Sequence, residues 1–312
     1  MNRRAQRGVA MITALILVAL ATVVAVGIAF DSAMTARRSV ATFSMEQGLQ
    51  LAQGGEALAS YVLREDHNSE DSPTESWAQP YGPVEVEKEV TLEAQLFDEQ
   101  GKFNVNTLLQ ADGTADPEAL AVFKRLLELT EVETSWAGML LDWLDPNVLP
   151  ETDGGEDSLY SSQKPPYRTG NRLVTSVSEL QQLPGLGRER YLRLLPHLTA
   201  LPPTAHRINV CAADGFVLDA LNALSTNNRN NVEYSRMPAE EFARNRAKGC
   251  YPPRATLAAN EPAIEKRIAD RSSYFQLRSW IRIGTARFAL YSLMYRDESG
   301  QVRPVARSFG TE

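Results

Sequence analysis

Val9 to Phe30 is a run of 22 residues without a charged side chain, broken in apolarity only by Thr13, Thr22 and Gly27. As a helix rising about 1.5 Å per residue it is roughly 33 Å long, enough to cross a hydrocarbon core about 30 Å thick. Arg3, Arg4 and Arg7 precede it, and Asp31 is the first charge after it. The positive-inside rule keeps the short basic leader in the cytoplasm and exports everything beyond Phe30. A cleavable secretory signal has a shorter apolar region, about 7–15 residues, and ends in a small-x-small site. This run is longer and Ala29-Phe30-Asp31 matches such a site poorly, so the anchor is expected to be retained.

Helix-forming sequence continues past the apolar run without a proline to Leu63. Phe43, Leu49, Leu51, Leu58, Val62 and Leu63 are read as one apolar stripe, which Gly48, Gly54 and Gly55 weaken. A helix of roughly fifty residues, half apolar and half amphipathic, needs its outer half packed on something. Further along, residues 84–98 place Val84, Val86, Val90, Leu92, Ala94 and Leu96 in alternation with mostly charged residues, the pattern of a one-sided strand or hairpin. The segments SSYFQLRSWIRIG, ARFALYSLMYRD and QVRPVARSF read as three more strands, with turns at Gly284-Thr285 and Glu298-Ser299-Gly300. Helical stretches near 116–130 and 134–144 fall between these β-forming ends. The expected fold class is α+β, with an N-terminal helix on an antiparallel sheet and a large helical domain inserted between strands.

The whole chain has a formal charge of −7, and residues 31–312 carry −10. A body that acidic lacks the positive field of a general polyanion binder. Cys211 and Cys250 are the only cysteines, and no CxxC spacing occurs, which excludes zinc ribbons and thioredoxin-type redox sites. In an oxidising exported compartment such an even pair is expected to form a disulfide, closing a loop over a polar stretch poor in core residues. His67, His197 and His206 lie in no HExxH, GxSxG or phosphate-loop context, so no enzyme is expected.

Residues 141–160 gather Asp142, Asp145, Asn147, Glu151, Asp153, Glu156 and Asp157. Pro146, Pro150 and Gly154-Gly155 make the segment a loop rather than a helix face. It is not an EF-hand, because Leu149 stands where a third ligand belongs and no glycine follows. Crowded carboxylates of this kind form either a solvated acidic loop or a site for Ca²⁺, which takes six to eight hard oxygens. Residues 176–198 resemble a helix-hairpin-helix, with Leu183-Pro184-Gly185-Leu186-Gly187 as the hairpin. Such a unit either packs two helices through its glycines or holds a phosphate on backbone N–H groups, with Arg188 and Arg190 adding charge. The acidic body favours the packing role, and no nucleic-acid partner is expected. Two similar stretches, Phe103-Asn104-Val105-Asn106 and Ile208-Asn209-Val210-Cys211, each precede a helical segment and hint at an internal duplication.

A basic leader ending in Gly8, an uncut apolar run and a continuing amphipathic helix resemble the type IV pilin class. That resemblance implies cleavage between Gly8 and Val9 by a prepilin peptidase on the cytoplasmic side, then methylation of the new amino terminus. The fifth residue after the cut is Thr13, where most of the class has a glutamate. Lack of that glutamate resembles the K-type minor pseudopilins of type II secretion, the general secretion pathway protein K family. Asp142-Trp143-Leu144-Asp145, Gly155-Glu156-Asp157 and the Ser176–Gly185 stretch resemble that family's motifs in the same order. The resemblance implies a single-pass inner-membrane protein with its bulk in the periplasm, calcium bound in the helical domain, and I-type and J-type minor pseudopilins as partners. It further implies a role at the tip of a short periplasmic filament, starting its assembly. A membrane-tethered helix-hairpin-helix DNA receptor and a minor pilin of a type IV pilus are the alternatives. The expected organisation is a leader at 1–8, a transmembrane helix at 9–30, pilin-like helix and strands at 31–102, an inserted helical domain at 103–265 and closing strands at 266–312.

Overall fold

A computed structural model describes residues 3–225 and 233–310 of the chain. One helix, α1 (Arg3–Glu65), is 63 residues long and runs without a break from the leader through the apolar run into the body. The large apolar side chains between Val9 and Phe30 are 54–71% exposed, so none of the described residues covers them. Thr13 and Thr22 satisfy their hydroxyls within the helix, on the carbonyls of Ala10 and Val18.

The body opens with a hairpin of β1 (Tyr81–Glu87) and β2 (Val90–Asp98), turned at Glu89 in a left-handed conformation (φ 65°). The chain then leaves the sheet for residues 99–273. Its elements there are β3 (Phe103–Asn104), α2 (Pro117–Leu129), α3 (Trp136–Leu144), α4 (Asp157–Ser161), α5 (Gly187–Leu194) and β4 (Leu198–Thr199). They continue with β5 (Ile208–Asn209), α6 (Gly215–Ala220), α7 (Ala239–Arg246), α8 (Arg254–Leu257), α9 (Pro262–Arg267) and β6 (Ile268–Ala269). It returns through β7 (Tyr274–Ile283), β8 (Ala286–Arg296) and β9 (Val302–Phe309). The five-stranded sheet has the order β1-β2-β7-β8-β9, with every neighbouring pair antiparallel. β2 pairs with β7 without a break from Val90–Ile283 to Asp98–Phe275, so the helical segment is an insertion between two adjacent strands. The fold is α+β, as the alternating ends and helical middle of the sequence imply.

The packing of α1 departs from the expected stripe. The residues buried against the sheet are small or polar: Gly48, Ala52, Gly55, Glu56 and Ala59, ending in Leu63. A side chain at Gly48 would come within 3.0 Å of the Phe288 ring, so the helix lies close to the sheet because residues there are small. Leu51 and Val62 flank the contact, whereas Phe43 and Leu58 are 67% and 40% exposed. At 100° per residue Val40, Phe43, Gly54, Leu58 and Tyr61 fall within about 60° of one another, opposite the buried set, with Gln47 the polar residue between Phe43 and Gly54 on that arc. The large apolar residues of this half therefore form an outward face. Val84 and Val86 also turn out exposed, on the edge strand β1, whose pairing with β2 has register shifts.

The insert has its own core, in which Phe103, Leu108, Phe123, Leu126, Leu140, Leu144 and Tyr160 are all nearly sealed. α2 is N-capped by Asp116, whose Oδ1 accepts from the N–H groups of Glu118 and Ala119 at 3.0 Å. The two similar stretches play matching parts. β3 pairs with β4 and β5 with β6, each pair parallel and two residues long. Asn104 Oδ1 accepts from the Asn106 N–H at 3.2 Å, and Asn209 Oδ1 accepts from the Cys211 N–H at 3.0 Å. Each asparagine thus turns the chain out of its short strand towards a helix with an aspartate N-cap, Asp116 or Asp214.

Insert, sheet and helix end meet at Arg296. Its guanidinium donates to Asp66 at 3.2 Å, to Asp71, and to the Ser272 carbonyl at 2.8 Å. Beside it, Asp98 accepts from Ser272 and Asn209, both at 2.7 Å. The loop after α1, the exit of β2 and the return into β7 are thereby joined by buried polar contacts that leave little freedom of register.

Candidate functional site: acidic loop, disulfide and helix face

Most of the acidic segment is a loop that folds back on α3. Asp142, on the last turn of that helix, is sealed, and both its oxygens accept the Glu151 N–H, at 2.9 and 3.2 Å. The loop must pass close to do this. A Cβ at Gly154 would sit 2.0 Å from Asp142 Oδ2, and one at Gly138 would sit 2.2 Å from the Thr152 carbonyl oxygen, so both positions need glycine. Asp145 follows the helix and is 4% exposed, accepting from the Asn147 N–H. Glu156 is 8% exposed, and neither of its carboxylate oxygens has a hydrogen-bond partner.

Three buried carboxylates thus face one region with little to neutralise them. The proton affinity of Asp142, Asp145 and Glu156 is raised in each case, chiefly by burial, with repulsion from neighbouring carboxylates adding to it. Glu151 and Asp157 contribute to that repulsion. Asn147 and Asp153 face solvent; Asn147 Oδ1 accepts from the Leu149 N–H, and Asp153 adopts a left-handed turn (φ 61°). Asp157 heads α4, exposed, and accepts from the backbone and hydroxyl of Thr169 at 3.1 and 3.0 Å. An unpartnered carboxylate near two buried ones is the chemistry a hard divalent cation neutralises, and Asp142, Asp145 and Glu156 are the donors such an ion would draw together.

Two clusters outside this loop do bring three acidic or sulfur ligand atoms within 4.8 Å of one another, which the loop's three carboxylates do not: Glu70 with Cys211 and Cys250, and Asp66 with Asp71 and Glu75. Both already have partners within the protein. Cys211 and Cys250 are bonded as a disulfide, with Cα atoms 4.5 Å apart, and Glu70 accepts the Cys250 N–H at 3.1 Å. Asp66 and Asp71 share Arg296, and Glu75 accepts from the Trp77 indole at 2.5 Å. The disulfide ties the turn after β5 to the end of the α7 segment. Arg246 backs it with donors to the Val210, Ala213 and Tyr251 carbonyls. The polar stretch inside this loop includes residues 226–232, which lie outside the described residues.

The helix-hairpin-helix segment is shorter than its sequence implies. Val177–Gln182 is a 3-10 turn, Gly185 and Gly187 have φ of 89° and 72°, and α5 follows. Leu180, Leu183, Leu186 and Leu194 bury themselves in the insert core. Arg190 points at Glu133, which it grips through two bonds of 2.7 and 2.5 Å, and this holds the Glu133 carboxyl down at about 2. The hairpin glycines serve the turn, and one of the two nearby arginines is committed to protein.

The described helix continues through Gly8 and Val9, the residues of the expected cut. A membrane-length helix whose outer half lies on an antiparallel sheet, leaving an apolar face outward, is the build of a pilin-class subunit. The sequence profile of the type II secretion system, protein K, matches residues 101–203, the first part of the insert. Type II secretion system protein K of Pseudomonas aeruginosa is 32% identical over 99% of this chain and 94% of its own length. The Klebsiella pneumoniae protein of the same name is 30% identical over 99% of the chain and 94% of its length. The fold matches the crystal structure of the GspK-GspI-GspJ complex from the type 2 secretion system of enterotoxigenic Escherichia coli, with a TM-score of 0.70 and 23% identity. That match covers 88% of this chain and all of the matched chain. The chain belongs to the type II secretion system protein K family, the K-type minor pseudopilins.

Proposed function

We propose that the chain is anchored in the inner membrane by Val9–Phe30, with its body in the periplasm, and that it caps the tip of the pseudopilus and helps start its assembly. The single observation that carries this reading is the outward face of α1. Val40, Phe43, Leu58 and Tyr61 are 66%, 67%, 40% and 53% exposed in a helix continuous with the apolar run. Water does not tolerate so long an unpartnered apolar face, and neighbouring helices of the same kind are its natural cover. I-type and J-type minor pseudopilins are the proposed neighbours, supported by the make-up of the matched GspK-GspI-GspJ complex. Thr13 lies at the position where a charged residue would pair with a neighbour's amino terminus, and it carries no charge to do so. A subunit lacking that pairing, and carrying a bulky insert, suits the end of a filament.

A prepilin peptidase is the proposed processing enzyme, cutting between Gly8 and Val9. Intact mass and amino-terminal sequencing of the membrane-extracted protein test this together with the anchor. The expected product starts at N-methyl-valine, Val9; a chain starting after Phe30, or at Met1, contradicts the reading.

Ca²⁺ is the proposed resident ion of the acidic loop, held by Asp142, Asp145 and Glu156, with Glu151, Asp153, Asp157 and Asn147 close by in sequence. Bound there, it supplies neutralising charge and no reaction. The protein's own part is to hold the loop against α3 through the Asp142–Glu151 bond and the close approach at Gly138 and Gly154.

A further inference from the structure

The face of the sheet away from α1 carries an arrangement that folding alone does not explain. In register across β2, β7 and β8 stand Thr91, Arg282 and Arg287; then Glu93, Trp280 and Ala289; then Gln95, Arg278 and Tyr291; then Phe97, Gln276 and Leu293. Arg282 and Arg287 are directly opposite one another and both exposed. Like charges in that relation repel and weaken a sheet. Among the described residues neither side chain has a hydrogen bond or ion pair. Glu93 is the one carboxylate on the outer face of these three strands, against three arginines. Glu85, opposite Thr91 on β1, is two strand spacings from Arg282, about 10 Å, and accepts the Glu89 N–H instead. On a body of charge −10 this is a local concentration of positive charge.

The arginine pair does not stand alone. Trp280, 40% exposed, is on the next row, and Arg278 beyond it lies 4.3 Å over the Phe97 ring. From there the face passes under the insert and becomes the floor of a cleft with about 1090 Å³ of solvent space. Gln276, Arg278, Tyr291 and Leu293 lie on that floor, with Tyr191 and Leu195 of the insert on the wall. Four rows of strand, from residue 282 to 276, span about 20 Å, the length of about six extended residues.

We propose that this face and cleft dock an extended, acidic segment of a partner polypeptide, its carboxylates on Arg282 and Arg287 and its chain leading past Trp280 into the cleft. Exposed Trp280, Arg282 and Arg287 with half-buried Tyr291 in one stripe are the residue types that dominate protein interfaces. Carboxylates of the partner would remove the repulsion that the free sheet carries. A nucleic acid is disfavoured as the occupant, since three arginines beside a carboxylate release few counterions.

The test uses the full chain in detergent with fluorescein-labelled (Asp-Tyr)₄ peptide, followed by anisotropy against (Lys-Tyr)₄, single-stranded DNA, inorganic phosphate and vesicles of phosphatidylglycerol. The acidic peptide is expected to bind, with affinity falling at least tenfold in the double variant Arg282→Ala/Arg287→Ala and three- to tenfold in Trp280→Ala. Raising the salt concentration should weaken it further. A second reading separates docking from folding: Arg287→Ala should melt at the same temperature as the parent or higher, because it relieves repulsion. Peptide binding indifferent to these substitutions, preference for DNA, phosphate or vesicles, or a lower melting temperature in Arg287→Ala would each overturn the proposal.

Discussion

Removing Glu56 probes how the anchor helix is held to the body. Glu56 is 4% exposed and sits on the sheet-facing side of α1. Arg307 of β9 donates to it through Nε and Nη2, both at 2.7 Å, and the hydroxyl of fully buried Ser292 donates as well. A hydrogen bond to a charged group contributes about 1.5–3 kcal/mol, but the Arg307 side chain is 43% exposed and recovers water when the pair is broken. Its share therefore falls near the bottom of that range. Ser292 recovers nothing, and a buried hydroxyl left without its acceptor costs about 1–3 kcal/mol. Glu56→Ala is expected to lose about 3 kcal/mol in all. Glu56→Gln keeps the volume and an acceptor for Ser292, and should lose about 1 kcal/mol. The assay is urea unfolding of the full chain in non-denaturing detergent, followed by tryptophan fluorescence. Trp77 packs edge-on against Phe275 under the helix, with ring centroids 5.1 Å apart, and reports on this contact. A Glu56→Ala variant within about 0.5 kcal/mol of the parent, the scatter of surface substitutions, would refute the reasoning.

Further outcomes concern the insert. Adding Ca²⁺ should raise the melting temperature, by about 2.7 kcal/mol in stability at a hundred times its dissociation constant, and Glu156→Gln together with Asp145→Asn should abolish the gain; an unchanged melting curve in excess chelator removes the ion. Because Asp142, Asp145 and Glu156 have raised proton affinities when folded, they favour the metal-free fold at low pH and withdraw that support as pH rises above the ordinary carboxylate range of 3.8 to 4.5. Without metal, acidification from neutral towards pH 5 should raise the contribution of these groups, while the calcium-dependent gain shrinks; calorimetry across that range checks both signs. Gly138→Ala should force the loop off α3 and weaken the calcium response at least tenfold, with circular dichroism unchanged; a full response contradicts the close approach. Cys211→Ser should slow the non-reduced chain on a denaturing gel and lower stability by about 3–4 kcal/mol in the loop-entropy picture; unchanged mobility would contradict the bond.

Much of the architecture was legible because it rests on strong local patterns. An uncharged run of membrane length, strands with clear alternation and a helix-rich middle led directly to an insertion between β2 and β7. The disulfide was legible from an even pair and export. The orientation of α1 was not. Reading Phe43, Leu49, Leu51, Leu58, Val62 and Leu63 as one stripe assumes that large apolar residues share a single packed face. Here the sheet takes Gly48, Ala52, Gly55 and Ala59 because they let the helix come close, and the larger Phe43 and Leu58 are left facing outward. The edge position of β1 was hidden for a related reason: Val84 and Val86 alternate as core residues do, and only the strand order shows that they lie on an exposed edge. In the acidic loop the sequence supplies seven candidates, but only tertiary closure separates the sealed Asp142, Asp145 and Glu156 from outward Asn147 and Asp153. Arg282 and Arg287 were missed because their opposition depends on strand register. The short hairpin between them, turned at Gly284-Thr285, was the available signal.

The central claim is that the outward face of α1 joins this subunit to its neighbours. The most direct measurement is co-purification of the tagged full chain with I-type and J-type minor pseudopilins from detergent-solubilised membranes. The parent should bring down both partners, and Phe43→Asp with Leu58→Asp should lose them while the melting temperature holds, because both side chains are exposed in the free chain. Partners retained by the charged variant, or absent from the parent, would contradict the account.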